Sequence, residues 1–408
     1  MGEATRIELG EGGAVEGEVW PPFEPVRDAF VRNFTEHADT GAALCVYRHG
    51  HKVLDLWGGW ANPGRLEPYG AGTLQLVFST TKGATAVCAL LLAERGLLDL
   101  DAPVVEYWPE FGDEGKRDIP VRWLLTHEAG IPVVDAAIPL EDALAWTPVT
   151  NALAAQRPLW APGSGHGYHA LTFGWLVGEL VRRVSGKTVG TFFADEVAGP
   201  LGLDFWIGLP EDEEGRVAPL RMQWPLTPQG PSGGQGSGSG ADVMASLLQP
   251  DALQLLLRAL TLNGAFGVFG GDGPFNTMAV HGAEVPAANG ITDARSLARM
   301  YAALIGDVDG VRVLAPATVA SAARLAVEGP DRVLVAPTSF GLGFMTHSRF
   351  IPMLAPGSFG HGGAGGSLGF ADPGSGVAFG YVMNQMRLTL TGDVRTAGLI
   401  EALRGCLA

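Results

Sequence analysis

Charged residues and cysteines are scarce in this chain of 408 residues. Charged side chains make up 17% of it, and it has only four lysines and three cysteines. The cysteines, Cys45, Cys88 and Cys406, are far apart and form no CxxC pair, so the sequence favours neither a disulfide framework nor a zinc site. The net charge is −16 and no run of Lys or Arg occurs. This charge balance argues against nucleic acid or an anionic membrane as a partner.

Long apolar runs are also missing. No apolar run reaches about 18 residues, so we expect no membrane span. The first residues are acidic and lack the apolar segment of a signal peptide, so we expect a reduced, cytoplasmic location. A hydrophobic content of 47% is enough for a large core, in one two-lobed unit or in two domains.

Strand signals occur near both ends of the chain. Residues 43–60 predict two strands joined at a His49-Gly50 turn, and residues 367–384 predict a hairpin around Asp372-Pro-Gly-Ser-Gly376. The intervening sequence is mostly helical or mixed, with helices predicted at 79–96, 171–184, 251–262, 293–304 and 390–403. Residues 229–240 are rich in Gly and Ser and predict a flexible loop. This order predicts one sheet built from both termini, with a helical part inserted.

Lys82 differs from the other lysines, which lie in polar, turn-like sequence. It belongs to LVFSTTKGATAVCALLLAERG, residues 76–96, which is otherwise almost wholly apolar. Helical residues three apart share a face, so Ser79 and Lys82 should be neighbours. Burial lowers the pKa of an amine and makes it a usable base. The positive end of the helix stabilises developing negative charge at Ser79. The pair therefore suggests an activated serine nucleophile.

An S-x-x-K match is weak evidence by itself. In a chain of this composition it arises by chance about one time in seven. A Ser79 that caps the helix and a Lys82 that reaches the surface would explain it equally well. Further motifs are needed, and the chain contains them.

Three segments together resemble the serine β-lactamase and penicillin-binding-protein superfamily, most closely its family VIII carboxylesterases and class C-like members. The first is Ser79-Thr-Thr-Lys82. In the second, residues 160–186, a Trp-x-Pro-Gly turn precedes Tyr168 and a helix. The third is FGHGGAGG, residues 359–366. Supporting phrases at 121–132, 285–304 and 340–345 occur in the family's order, so the resemblance covers most of the chain.

The resemblance implies a catalytic set. Ser79 would be the nucleophile, Lys82 its base and Tyr168 the tyrosine that relays a proton between nucleophile, lysine and leaving group. The amides of Ser79 and Ala364 would form the oxyanion hole. No metal and no cofactor is implied.

The third segment, which would contact substrate through His361, Gly362 and Gly363, departs from the family's usual pattern. His361 stands where many relatives have the Lys of Lys-Thr-Gly. The usual Tyr-x-Asn reads Tyr168-His169-Ala170, so the Asn side chain is missing too. Both changes remove groups that help to hold a β-lactam, and both favour a neutral ester.

Other motifs compete with this interpretation. Gly365-Gly-Ser367-Leu-Gly369 matches the G-x-S-x-G elbow, but no histidine follows Ser367, so the α/β-hydrolase triad cannot be completed in its usual chain order. The G-x-G-x-x-G pattern at residues 360–365 opens no helix and is a chance match. The pairs His49/His51 and His166/His169 lack the context of a metal site. For His127 we expect a core hydrogen bond, with support of the site loop left open.

The sequence thus predicts an α/β fold plus an all-α lobe, of the β-lactamase/DD-peptidase type. Residues 1–78 and 285–408 would form the α/β domain and residues 79–284 a mainly helical domain, with the site in the cleft between them. The predicted activity is serine-dependent hydrolysis of a small carboxylic ester. The alternatives are a β-lactamase, a D-amino-acid peptidase or amidase, and a penicillin-binding sensor that stays acylated. The sequence does not indicate an oligomeric state.

Overall fold

The structure is a computed structural model that describes residues 2–10, 13–62, 64, 67–222, 249–267, 273–387 and 392–407. The loop predicted at 229–240 lies outside these residues. The described strands are β1 (Glu3–Leu9), β2 (Gly13–Val19), β3 (Gly41–Arg48), β4 (His51–Gly59), β5 (Gln75–Leu76), β6 (Phe205–Trp206), β7 (Arg221–Met222), β8 (Ile291–Thr292), β9 (Val327–Pro330), β10 (Pro337–Phe340), β11 (Met345–Thr346), β12 (Phe359–Gly362), β13 (Leu368–Asp372), β14 (Val377–Met383) and β15 (Gln385–Met386).

Most of the described α-helices lie between the two groups of strands. The described α-helices are Glu24–Glu36, Thr81–Glu94, Val121–Leu125, Leu140–Leu144, Thr147–Ala155, Thr172–Ser185, Val189–Phe193, Gly199–Leu201, Pro250–Thr261, Met278–Gly282, Ala294–Ile305, Pro316–Ala323 and Val394–Leu407. None of the helices in the described ranges combines the length and the apolar character that crossing a membrane requires.

Ten strands form the main sheet, in the order β1-β2-β4-β3-β14-β13-β12-β11-β10-β9. Every neighbouring pair is antiparallel. The central contact joins β3 to β14, with Cys45 opposite Gly380. Strands from the two ends of the chain therefore meet in one sheet, which confirms the predicted fold.

The β3–β4 hairpin turns at the predicted residues. His49 and Gly50 both have positive φ, at 48° and 78°, as a type I′ turn requires. The His49 amide donates to the Gly376 carbonyl at 2.7 Å. That bond links this turn to the predicted β13–β14 hairpin at Asp372–Gly376, which the structure also contains.

Both faces of the sheet are covered. Along β3, Ala43, Cys45 and Tyr47 belong to one apolar cluster and Leu44 and Val46 to another, as the alternation of side chains in a strand dictates. Apolar residues of the helix Ala294–Ile305 pack in the first cluster, and apolar residues of the helices Glu24–Glu36 and Val394–Leu407 pack in the second. This burial on both faces explains why β3 is a continuous apolar run.

Three internal helices lie within one residue of their predicted bounds, at Thr172–Ser185, Pro250–Thr261 and Ala294–Ile305. The C-terminal helix was predicted at residues 390–403 but occupies Val394–Leu407, four residues later in the chain. The Asp393 carboxylate accepts the Arg395 amide at 2.9 Å, the bond of an N-cap residue that begins the helix there.

Lys116 lies in a polar turn, as its sequence indicates, but its side chain is buried. The turn exists, since Glu114 and Gly115 have φ of 56° and 84°. It directs Lys116 inward, however, and the side chain is fully buried. Its amine donates to the Gln156 carbonyl, and burial lowers its pKa. Lys82 is thus one of two buried lysines among the described residues.

Candidate active site

Ser79 lies in a tight turn at the head of the Thr81–Glu94 helix. The first turn, Phe78–Thr80, is a 3₁₀ turn, so the α-helix begins two residues later than predicted. Phe78 has a φ of 45°, a left-handed conformation that is strained for an aromatic residue and is typical of functional sites. Its carbonyl accepts the Thr81 hydroxyl at 2.5 Å. Ser79 remains partly exposed while its neighbours are buried.

Ser367 fixes this turn to the sheet. Its hydroxyl donates to the Val77 carbonyl at 2.9 Å and lies 3.1 Å from the Thr80 hydroxyl. On the other side, the Val77 amide donates to the Gly290 carbonyl at 2.9 Å. Ser367 is 2% exposed, so it supports the turn that carries Ser79 and is not presented as a nucleophile elbow.

The Lys82 amine is enclosed by three oxygen atoms. Its Nζ lies 2.6 Å from the Ala170 carbonyl, 3.0 Å from the Ala287 carbonyl and 3.1 Å from Ser79 Oγ. It also lies 4.8 Å from the centre of the Tyr168 ring. The side chain is fully buried and forms no ion pair with a carboxylate of the described residues. Burial therefore lowers the pKa of Lys82 well below its usual range.

Tyr168 is packed against two aromatic residues that also contact each other, with the ring centres of His127 and Phe340 4.6 Å apart. Its ring stacks on Phe340 with centres 6.0 Å apart and planes 10° apart, and the His127 ring lies 4.9 Å away. Burial raises the pKa of the Tyr168 phenol, a hydrogen bond with Ser79 opposes this shift, and the Asp331 carboxylate adds to it. The phenol therefore keeps its proton at neutral pH, next to both Ser79 and Lys82.

The end of β12 presses directly against the Ser79 turn. A Cβ atom at Gly363 would overlap the Val77 carbonyl oxygen and Ser367 Oγ and would come within 2.9 Å of Thr80 Oγ1. Only glycine permits this approach. The glycine-rich segment predicted to line the site therefore contacts the same turn as the serine.

His361 is buried beside the catalytic candidates. Its Nδ1 lies 2.7 Å from the Gly362 carbonyl, whereas Nε2 is buried with no partner among the described residues. Its ring centre is 6.1 Å from that of Tyr168. Burial and the nearby Lys82 lower the pKa of His361 to about 3, so this residue is neutral at physiological pH.

The Ala364 amide is available as a donor. Ala364 lies partly exposed in the turn after Gly363, which is closed by bonds from the Gly363 amide to the Ser367 carbonyl and from the Gly366 amide to the Gly363 carbonyl. No acceptor in the described ranges lies within hydrogen-bond distance of its N–H. The Ser79 amide belongs to the first turn of a helix, where N–H groups lack intrahelical acceptors.

His127 and His169 have structural partners. His127 accepts the His169 amide on Nδ1 at 3.1 Å. His169 accepts the Ile131 amide on Nε2 at 3.0 Å, and its Nδ1 lies 2.7 Å from the Gly167 carbonyl. These bonds fix His169 as the Nδ1–H tautomer, and burial lowers its pKa to about 3. His127 thus makes the core hydrogen bond that the sequence analysis favoured. Among the described residues, no group of three or more candidate ligands could hold a metal.

Three further groups at the site had no signal in the sequence. The carbonyls of Ala170 and Ala287 bind Lys82 through the backbone, so side-chain identity does not reveal them. Asp331 binds the Tyr168 amide from 163 residues away in sequence, and its loop sequence reads as an ordinary turn. Pairing across such distances can be found only from the fold.

Comparison with known proteins finds relatives over nearly the whole chain. The chain is 37% identical to the Esterase/beta-lactamase LipL of Mycobacterium tuberculosis, over 97% of this chain and 90% of that protein. It is similar to the crystal structure of a family VIII carboxylesterase, with a TM-score of 0.82, 36% identity and coverage of 96% of this chain and 99% of the other. A penicillin-binding protein homologue from Caulobacter crescentus has a TM-score of 0.81 and 35% identity, over 96% and 99% of the two chains.

These relatives share nearly the whole length of the chain, so the likeness extends well beyond the three site motifs. The beta-lactamase family matches residues 27–403, which includes Ser79, Lys82, Tyr168 and the end of β12. The chain therefore belongs to the beta-lactamase family and is a hydrolase of the serine β-lactamase superfamily.

Proposed function

We propose that the protein is a serine carboxylesterase that hydrolyses small carboxylic esters through an acyl-enzyme on Ser79. One observation carries the proposal: the Lys82 amine is buried, has no carboxylate partner among the described residues, and lies 3.1 Å from Ser79 Oγ. A neutral amine has two N–H donors and one lone pair. The Ala170 and Ala287 carbonyls accept the two donors, which leaves the lone pair for the Ser79 hydroxyl.

Acylation begins when Ser79 Oγ attacks the ester carbon and its proton passes to Lys82 Nζ. The carbonyl oxygen becomes an oxyanion that the Ser79 and Ala364 amides stabilise. The bond to the alcohol oxygen then breaks, and the departing alkoxide takes the proton of the Tyr168 phenol. Lys82 returns its proton to Tyr168, so the acyl-enzyme forms with the relay in its starting state.

Deacylation uses the same groups in reverse. Tyr168 and Lys82 together accept a proton from water as the water oxygen attacks the acyl carbon. The bond to Ser79 Oγ breaks, and Oγ regains its proton from Lys82. The raised pKa of Tyr168 and the lowered pKa of Lys82 suit this division, because the phenol begins as the acid and the amine as the base.

The substrate side of the site favours an ester without charge. Ala170 offers no side-chain amide, and His361 is neutral because burial lowers its pKa. Apolar side chains surround Tyr168, including Val133, Val333 and Phe340. Two domains, residues 1–78 with 285–408 and residues 79–284, would bring these groups together at their boundary, with His361, Gly362 and Gly363 contacting the acyl group.

Esters should be the preferred substrates. We expect kcat/KM for a short-chain aryl ester to exceed that for the isosteric amide by about 100-fold or more. It should exceed that for a penicillin by a similar factor, since neither a fixed cation nor an amide side chain holds the β-lactam. Slow β-lactam hydrolysis remains the second candidate, because one full-length relative is named both esterase and β-lactamase. A faster penicillin or amide reaction, or a burst without turnover, would replace the ester proposal.

Ester turnover and covalent labelling of two serine variants identify the nucleophile. Ser79→Ala should abolish turnover and prevent covalent labelling by an activated phosphonate ester, with the label located by peptide mass spectrometry. Ser367→Ala is the matched control, since this buried serine supports the turn without reaching substrate. It should keep the phosphonate label on Ser79. Label on Ser367 in the unmodified protein would refute the assignment.

The pH dependence should reflect the lowered pKa of Lys82. The reaction needs the neutral amine, so kcat/KM should rise with pH through the pKa of Lys82 and level off above it. Because burial lowers that pKa, the rise should be complete well below about 10.4, the usual pKa of lysine. Stopped assays with an alkyl ester across the acid and alkaline range measure this. A rise that continues to the usual lysine pKa would exclude Lys82 as a neutral base.

A further inference from the structure

Asp331 is a buried carboxylate that binds the main chain of Tyr168. It is 2% exposed, and its Oδ1 accepts the Tyr168 amide at 3.0 Å, the Val333 amide at 2.8 Å and the Leu334 amide at 2.9 Å. One carboxylate oxygen therefore ties the segment of Tyr168 to the loop between β9 and β10. Hydrogen bonds to a charged acceptor are stronger than those to a neutral one.

The second oxygen of Asp331 is also bonded. The Thr338 hydroxyl donates to Oδ2 at 3.0 Å, and His166 Nε2 lies 2.8 Å from the same hydroxyl. The Arg332 amide donates to the His166 carbonyl at 3.1 Å, so the two segments are joined at successive residues. Among the described ion pairs, Asp331 has no Lys or Arg partner. Its oxygens accept N–H and O–H donors, and His166 Nε2 lies 3.9 Å from Oδ2.

The loop that Asp331 organises also supports the Tyr168 ring. Val333 and Phe340 belong to the apolar cluster of Tyr168, and Phe340 stacks on its ring. The neighbouring segment is held as well, because the His127 carbonyl accepts the Gly167 amide at 3.1 Å. Asp331 therefore fixes the loop that contacts the Tyr168 ring and bonds directly to the Tyr168 main chain.

We propose that Asp331 is a positioning residue that holds the Tyr168 phenol at the leaving oxygen of the ester. The proposal rests on the proposed function, in which Tyr168 gives its proton to the departing alkoxide. An error in the position of the phenol should then harm only reactions whose leaving group needs a proton. A residue that only stabilised the fold would affect good and poor leaving groups alike.

Asp331→Asn should therefore change leaving-group selectivity. The variant keeps the shape of the side chain but loses its charge and replaces an acceptor with an amide donor opposite Thr338 and His166. We expect kcat/KM for an ethyl ester to fall by about 10- to 100-fold, the effect of a small misplacement of a catalytic group. The p-nitrophenyl ester of the same acid should lose far less, because its leaving group departs as a stable anion. Both values report acylation.

Two reference variants complete the test. Tyr168→Phe removes the proton itself and should show the same selectivity with a larger loss. Asp372→Asn is the matched control, since Asp372 is also buried and caps a hairpin by accepting the Ser375 amide and hydroxyl and the Ser358 hydroxyl. It lies at the end of β13 remote from the site, and its ratio of ethyl to nitrophenyl ester should equal that of the unmodified protein.

The outcomes separate the two proposals. If Tyr168→Phe is selective and Asp331→Asn lowers both esters equally, or neither, Asp331 has no positioning role although the mechanism stands. If Tyr168→Phe shows no selectivity, proton delivery by Tyr168 fails and the role of Asp331 fails with it. Should Asp331→Asn not fold, Thr338→Val removes the hydroxyl that donates to Oδ2 and contacts His166 and should move the ratio in the same direction. An unchanged ratio there overturns the proposal.

Discussion

Lys82→Arg should lower kcat/KM for ester hydrolysis by about 10⁴-fold, the upper part of the range for losing a general base. The guanidinium group of arginine is protonated at every accessible pH, so it cannot accept the Ser79 proton. Its N–H groups can still donate to the Ala170 and Ala287 carbonyls, which bind the amine in the unmodified protein. Because the site disfavours a buried unpaired charge, the variant should also be less stable, so activity must be compared at a temperature at which it is folded.

Steady-state kinetics with a nitrophenyl ester and thermal unfolding of the same samples test this expectation. Lys187→Arg serves as the matched control, because Lys187 is exposed and pairs with Asp195 at the surface. It should keep normal turnover. Lys82→Ala should be as inactive as Lys82→Arg without burying a charge, although it leaves two buried carbonyls without donors. Near-normal turnover in Lys82→Arg would remove Lys82 as the base.

The elements of this fold were predictable where local chemistry determines them. His49-Gly50 favours a two-residue hairpin, and the helix Ala294–Ile305 has an apolar face and an Asp293 cap that accepts the Ser296 amide at 2.6 Å. Such signals lie within a few residues of each other. The C-terminal helix begins later than predicted because Asp393 caps it. The burial of Lys116 could not be predicted, because a turn in sequence does not show which way its side chains point.

The candidate site follows the same division. Its side chains could be inferred, because Ser79 and Lys82 are one helical turn apart and the other motifs occur in the order of a known family. Its backbone partners could not be inferred. The Ala170 and Ala287 carbonyls reach Lys82 from 88 and 205 residues away, and any residue type supplies a carbonyl. The environment that lowers the pKa of Lys82 is thus a property of the tertiary structure.

Gly363→Ala should reduce both activity and stability. Gly363 lies next to Ala364 and packs directly against the turn that contains Ser79. An added methyl group would overlap the Val77 carbonyl and Ser367 Oγ, so β12 and the Ser79 turn must separate. Overpacking of this kind costs about 1–3 kcal/mol of the free energy of unfolding. Displacing the Ala364 amide from the oxyanion should lower kcat by about 10²–10³-fold, the effect of losing one such donor.

Gly362→Ala is the matched control for the contact between Gly363 and the Ser79 turn. A Cβ atom there would meet nothing closer than the Ser367 carbonyl at 3.7 Å, so the variant should unfold at the temperature of the unmodified protein. In Gly363→Ala, binding of a phosphonate transition-state analogue should weaken more than binding of the ground-state ester, because only the former carries negative charge on the oxygen that the amides face. Equal weakening of both would mean that the turn at Gly363 shapes the pocket without stabilising the oxyanion.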